Sequence, residues 1–233
     1  DSIHAAVESL SDAMAEALAP QLERLHATMR VPGPYSPDAT AAGRRALGNS
    51  ALMLLTRIDG GIRAGAQYGA ADNMTQQFAA LAALVRAGIG DEALEDFRAR
   101  WQGDRLVMDK WFNLQPLLAA PERAARVAAA LAGDADFDWK NPNRFRALIG
   151  GLAGNAAGFH AAGGAAYELT ADWLIRLDPV NPQTTARMSS VFETWRRFVA
   201  ARQAAIRAAL ERLAASPGLS RDTGEMVQRI LAA

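Results

Sequence analysis

Arginines placed early in two helices that begin alike are the first pattern in this sequence that could do chemistry. One phrase reads Asn141-Pro142-Asn143-Arg144-Phe145-Arg146-Ala147-Leu148-Ile149-Gly150, and the other Asn181-Pro182-Gln183-Thr184-Thr185-Ala186-Arg187. Asn-Pro is a helix start with a mechanism. The Asn side chain caps free amides of the first turn, and Pro arrives with φ already set and no amide to leave unpaired. Arg144 and Arg146 follow in one phrase and Arg187 in the other. A cation there lies against the positive pole of the macrodipole, at a cost of roughly 0.3–1 kcal/mol when exposed. Two readings stay open. Either each arginine pairs with a local Asp or Glu, or the arginines shape a pocket for an anionic group, which a helix N-terminus favours.

The other chemistry-bearing residues are sparse. The histidines are His4, His26 and His160, and none has a Glu or His partner at metal-ligand spacing. H-E-x-x-H is absent, as are a P-loop, a dinucleotide fingerprint, a G-x-S-x-G elbow and any cysteine nucleophile. A zinc site built by this chain alone is not expected. His160 beside Phe159 on a glycine-rich turn reads as a buried, hydrogen-bonded histidine, with a general base as the alternative. Trp101, Trp111, Trp139, Trp173 and Trp195 are scattered, as core packing requires and a base-stacking platform does not. Arg196, Arg197, Arg202, Arg207 and Arg212 alternate with Glu193 and Glu211, which suits a solvated face with helical ion pairs.

Composition narrows the class. The chain has 233 residues with 25 of each charge sign, so no broad field draws it to nucleic acid or to an anionic membrane. No apolar run reaches the ~18–20 residues of a membrane span. Absence of cysteine fits a reducing compartment, and a cytoplasmic location is expected. Asp1 in place of Met points to a fragment or a processed chain, and no signal-peptide pattern follows it.

The elements that must position these residues are all helical. Ile3, Val7, Leu10, Met14, Leu18, Leu22, Leu25 and Met29 recur three or four apart, with a kink or a join expected at Pro20. Val31 to Pro37 reads as a loop, and Asp38 caps a helix carrying Leu47, Leu52 and Leu55 inward until Gly60-Gly61 ends it. A short helix over 62–68 precedes one over 73–87 capped by Asp72. Further helices open at Asp91, Asp104 and Pro121. Beyond the polar loop 133–140 and the Asn141 helix, helices are expected over about 165–178, 182–198, 200–215 and 221–232. Gly150, Gly151 and Gly154 weaken a helix by up to about 1 kcal/mol each, so that helix should press closely on a neighbour. No stretch alternates at period two. The fold class expected is all-α, a single domain over 1–233 built as an irregular α-solenoid stack of antiparallel helix pairs, about a dozen helices with no sheet.

Six phrases in fixed order then carry a resemblance. They are Asn73-Met74-Thr75, Asp109-Lys110-Trp111-Phe112, the Asn141 to Gly150 phrase, Phe159-His160, Asn181-Pro182-Gln183 with Arg187, and Leu219-Ser220-Arg221-Asp222. Together they resemble the C-terminal helical domain of bacterial aminopeptidase N, a zinc-dependent gluzincin family, from about Tyr35 to the last helix. The resemblance implies a non-catalytic domain that covers the active site of an upstream catalytic domain, which carries the zinc, and limits entry to short peptides. It implies substrate-binding roles for Arg146 and Arg187 near the part of the substrate beyond the cleaved bond, and no activity or cofactor for this chain alone. Departures from the family are Gly163-Gly164-Ala165-Ala166-Tyr167 where an Asp-containing turn is usual, Gln77 where a basic residue is usual, and Gly224 for an aromatic. A freestanding helical scaffold that binds protein partners is the competing reading.

Overall fold

Side-chain caps decide where most of these helices begin. Asp38 accepts from the Ala41 amide at 2.9 Å, and Asp104 from the amides of Leu106 and Val107. Asn73, not Asp72 as expected, caps its helix by accepting from Gln76 at 3.0 Å. The computed structural model describes residues 1–232. It contains fourteen α-helices and no strand among the described residues, the all-α stack of paired helices expected from the sequence. Contacts concentrate within two units, Asp1–Trp101 and Gln102–Ala233.

The first unit holds α1 (Ser2–Ala17), α2 (Ala19–Thr28), α3 (Ala39–Leu55), α4 (Ile62–Ala70), α5 (Met74–Arg86) and α6 (Asp91–Trp101). Pro20 falls in the first turn of α2, so the expected break is a join between two helices. Helix α2 packs on α3, α4 on α5, and α5 on both α3 and α6. The buried face of α3 is Ala41, Arg45, Gly48, Ala51, Leu52 and Leu55. Leu47 lies one position off that face and is 46% exposed, correcting its inward placement. The apolar stripe of α1 is a helix signal but not a core: Ile3, Val7, Leu10 and Met14 are exposed and only Ala15 is buried. Gly60 and Gly61 both adopt left-handed backbone, which turns the chain between α3 and α4 at no cost for a residue without Cβ.

The second unit holds α7 (Arg105–Leu118), α8 (Pro121–Ala132), α9 (Pro142–Gly154), α10 (Ala156–Phe159), α11 (Ala165–Leu177), α12 (Pro182–Ser189), α13 (Ala200–Ala214) and α14 (Arg221–Ala232). Two short 3-10 turns, Ser190–Phe192 and Trp195–Arg197, follow α12, so the helix expected over 182–198 ends early. Helix α7 lies along α9, α8 contacts both, α11 packs on α12 and α13, and α12 on α14. Phe112, Phe145, Leu148, Ile149, Phe159, Tyr167 and Phe192 are fully buried at its centre. The glycines of α9 do admit a close neighbour: a methyl at Gly151 would lie 2.5 Å from the Asn113 carbonyl oxygen of α7. Asn155 donates to the carbonyls of Pro116 and Ala119, closing the C-terminal end of α7, and accepts from Gly158 to start α10.

Candidate functional site

Helix α9 begins as its first residues dictate, with Asn141 accepting from the Asn143 amide at 3.0 Å and Pro142 in the first turn. Its two arginines then part company. Arg144 is 7% exposed and turned inward. Its Nε donates to Asp109 at 2.5 Å, its other nitrogens reach the carbonyls of Asp136 and Arg105, and its guanidinium lies 4.6 Å from the Phe112 ring centre. Local pairing is the reading that holds for Arg144, which ties α7, the loop after α8 and α9 together. Arg146 faces outward and is exposed, and its Nη2 donates to the Asn143 side chain.

Helix α12 also starts as expected, with Asn181 accepting from the Thr184 amide at 3.0 Å and Pro182 following. Its hydroxyl side chains turn back on their own backbone: Thr185 to Asn181, Ser189 to Thr185 and Ser190 to Arg187. Such bonds compete with helix propagation, and the helix stops after eight residues. Arg187 consequently stands in the last turn, at the negative pole, where a cation is favoured. The dipole conflict inferred from the sequence therefore does not exist at Arg187. This side chain is exposed, and its guanidinium has no hydrogen bond or ion pair among the described residues. Helices α9 and α12 touch one another, but no hydrogen bond joins Arg146 to Arg187. Neither arginine lines the cavities of about 620 and 310 Å³, whose walls come wholly from residues 8–89.

His26 and His160 each have a partner of their own. His26 contacts the Gly48 carbonyl through Nδ1 at 3.2 Å. His160 Nδ1 lies 2.9 Å from the Tyr167 hydroxyl, and its ring lies 3.9 Å from that of Phe198. Burial first, and the nearby Arg202 charge second, hold the imidazole down to about 4. Burial also pushes the Tyr167 hydroxyl up to about 12. The pair is a neutral hydrogen-bonded couple inside an aromatic cluster, which is the structural reading of His160. Among the described residues no three His, Cys, Asp or Glu side chains gather as metal ligands.

Two residues escaped sequence reading. Asp178, 2% exposed at the end of α11, accepts from the Ser220 amide, the Ser220 hydroxyl and the Thr223 hydroxyl, and so anchors the start of α14. Arg45 is 4% exposed with no carboxylate in ion-pair contact among the described residues, Asp38 acting on it through charge alone. Its burial leaves one weak trace in the sequence, a four-residue step from Ala41 along the small-residue face of α3.

Comparison with known proteins places this arrangement. A family model described as "Domain of unknown function (DUF3458_C) ARM repeats" matches residues 1–232. Aminopeptidase N of Caulobacter vibrioides is 38% identical over 236 residues, covering 99% of this chain and 27% of that protein. Aminopeptidase N of Haemophilus influenzae is 34% identical, covering 99% of this chain and 27% of that protein; the Escherichia coli protein is also 34% identical, covering 97% and 26%. The crystal structure of Legionella pneumophila aminopeptidase A in complex with aspartic acid superposes with a TM-score of 0.87 at 28% identity, over 97% of this chain and 28% of that one. The chain thus spans about a quarter of the length of the curated relatives it matches. It belongs to the DUF3458_C family of ARM-repeat domains, a helical region it shares with bacterial aminopeptidase N.

Proposed function

We propose that this chain is the non-catalytic helical domain of a zinc aminopeptidase that removes N-terminal residues from short peptides. The observation that carries the reading is a match of nearly the whole chain to about a quarter of aminopeptidase N. The zinc and the reaction then belong to a catalytic domain upstream in the same polypeptide, in the cytoplasm. This domain covers that site and restricts what enters.

Arg146 and Arg187 hold the C-terminal side of the substrate in this proposal. Both are exposed, and Arg187 is uncommitted, so each is free to meet a group outside this chain. A guanidinium presents donors in a planar fork that matches a peptide's terminal carboxylate. In the full-length polypeptide, Arg146→Ala and Arg187→Ala are expected to raise KM for a tripeptide about tenfold, or about 1.4 kcal/mol. KM for an alanine anilide, which has no terminal carboxylate, stays within about twofold. Equal effects on both substrates would remove the carboxylate role, and unaltered values for both would remove the arginines from substrate binding.

A further inference from the structure

The cavity of about 620 Å³ in the first unit is walled by α2, α3, α4 and the start of α5. Arg45 of α3 lines it while being 96% buried by its 4% exposure. Its Nη2 donates to the Ser36 carbonyl at 2.5 Å, and its guanidinium lies 4.6 Å from the Tyr35 ring centre. Its Nε is sealed without an acceptor, and Nη1 has no partner either among the described residues. A buried guanidinium is costly unless an anion or enough acceptors meet it, and here a carbonyl and a ring face make the direct contacts, with no carboxylate in ion-pair contact among the described residues. The nearest acid in sequence, Asp38, feels the Arg45 charge, but its oxygens are held by the Ser36 hydroxyl and the Ala41 amide.

On the rest of the wall Arg63 and the Gln67 amide spend their donors inside the protein, while other donors stay idle. Glu23 and Asp59 both pair with Arg63, neutralising that cation. Arg30 on the same wall is exposed, with a guanidinium that has no partner among the described residues. The Asn49 oxygen accepts from Gln67 and the Gln76 oxygen from Asn73, which leaves the amide NH₂ groups of Asn49 and Gln76 unused. Asp72 is the one lining carboxylate not held by a cation. We propose that this cavity binds an oxyanion, a carboxylate or phosphate group on a small molecule, through Arg45 with Arg30 and the Asn49 amide completing the shell. The volume exceeds that of a bare ion, so a molecule bearing the group fits. The proposal stands apart from the roles given to Arg146 and Arg187, which lie on other helices.

The test uses the 233-residue chain. Inorganic phosphate, glycylalanine and glycylalanine amide are titrated at constant ionic strength, reading the Arg45 Nε–H resonance by NMR and the thermal midpoint. Saturable shifts with phosphate or with the free dipeptide are expected, together with a rise in midpoint. Binding of the dipeptide but not its amide identifies a carboxylate ligand, and binding of phosphate alone a phosphate-bearing one. Arg45→Lys is expected to weaken binding about tenfold, since a point charge replaces the planar fork. Arg30→Gln and Asn49→Ala alter a partly exposed wall, and each should weaken it about threefold with helicity unaltered. The proposal is overturned if none of the probes moves the Arg45 resonance, or if binding survives all three substitutions unaltered.

Discussion

Gly150 and Gly151 stand side by side in α9 and answer to different surroundings. A methyl at Gly151 would sit 2.5 Å from the Asn113 carbonyl oxygen and 3.0 Å from its side-chain nitrogen, whereas one at Gly150 meets nothing within 4 Å. Asn113 cannot easily retreat, because its Nδ2 donates to the Ala147 carbonyl at 2.9 Å. Gly151→Ala should therefore destabilise the chain, as overpacking of about 1–3 kcal/mol exceeds the ~1 kcal/mol that alanine adds to helix propensity. Gly150→Ala takes the propensity without the clash and should stabilise by up to about 1 kcal/mol. Thermal denaturation of the two variants checks this, with midpoints expected to move in opposite directions; a rise in both would mean that α7 and α9 are not in close contact. The sequence showed that this helix needs a close neighbour but not which glycine meets it. Arg144 and Arg146 repeat the lesson, since two positions along a helix place them on roughly opposite sides. One is buried on Asp109 and the other is exposed, and only the neighbours fix that phase.

At the scale of elements, what is written locally was legible and what depends on competition was not. Asp38, Asn141, Asn181 and Asp104 cap the helices their positions announced, because a cap is a contact within three residues. The end of α12 at Ser189 was not legible, since apolar spacing continues to Phe198 while buried hydroxyls and 3-10 turns break the helix. The turn before α11 shows a tertiary contact with a consequence for pH. His160 there packs on Phe198 and bonds to Tyr167, held down to about 4 against an ordinary 6.5. Between those values the unfolded chain takes up a proton that the folded chain refuses, so stability rises with pH across the window and falls on acidification from 6.5 toward 4. His160→Gln keeps a hydrogen-bonding group for Tyr167 and removes the titration. Wild type should lose roughly 2–4 °C more than this variant between pH 7.5 and pH 5.5 in calorimetric scans. An equal loss in both would mean that the imidazole is solvated and charges freely in the folded state.

For the molecule as a whole, the question is where a metal could be held, since the sequence has no cysteine and three scattered histidines. His26 is spent on a backbone carbonyl and His160 on a tyrosine, and no third ligand-bearing residue joins either in a metal cluster among the described residues. A hydrolytic zinc needs three protein ligands and an open position for water. Among the described residues no such set of three gathers, His26 lying on the Gly48 carbonyl and His160 on the Tyr167 hydroxyl. If the chain is a cover for another domain's reaction, chemistry must vanish when it is studied by itself, although the fold persists. The purified 233-residue chain is expected to show the circular dichroism of an α-helical protein, to carry less than about 0.1 zinc per chain after dialysis against micromolar zinc, and to release no detectable amine from an alanine anilide. Stoichiometric zinc with turnover would relocate the active site into these helices and end the reading as a cover. Folding without zinc or turnover, followed by tripeptide hydrolysis sensitive to Arg187→Ala once the chain is rejoined to an upstream catalytic domain, is the outcome expected if the proposed role holds.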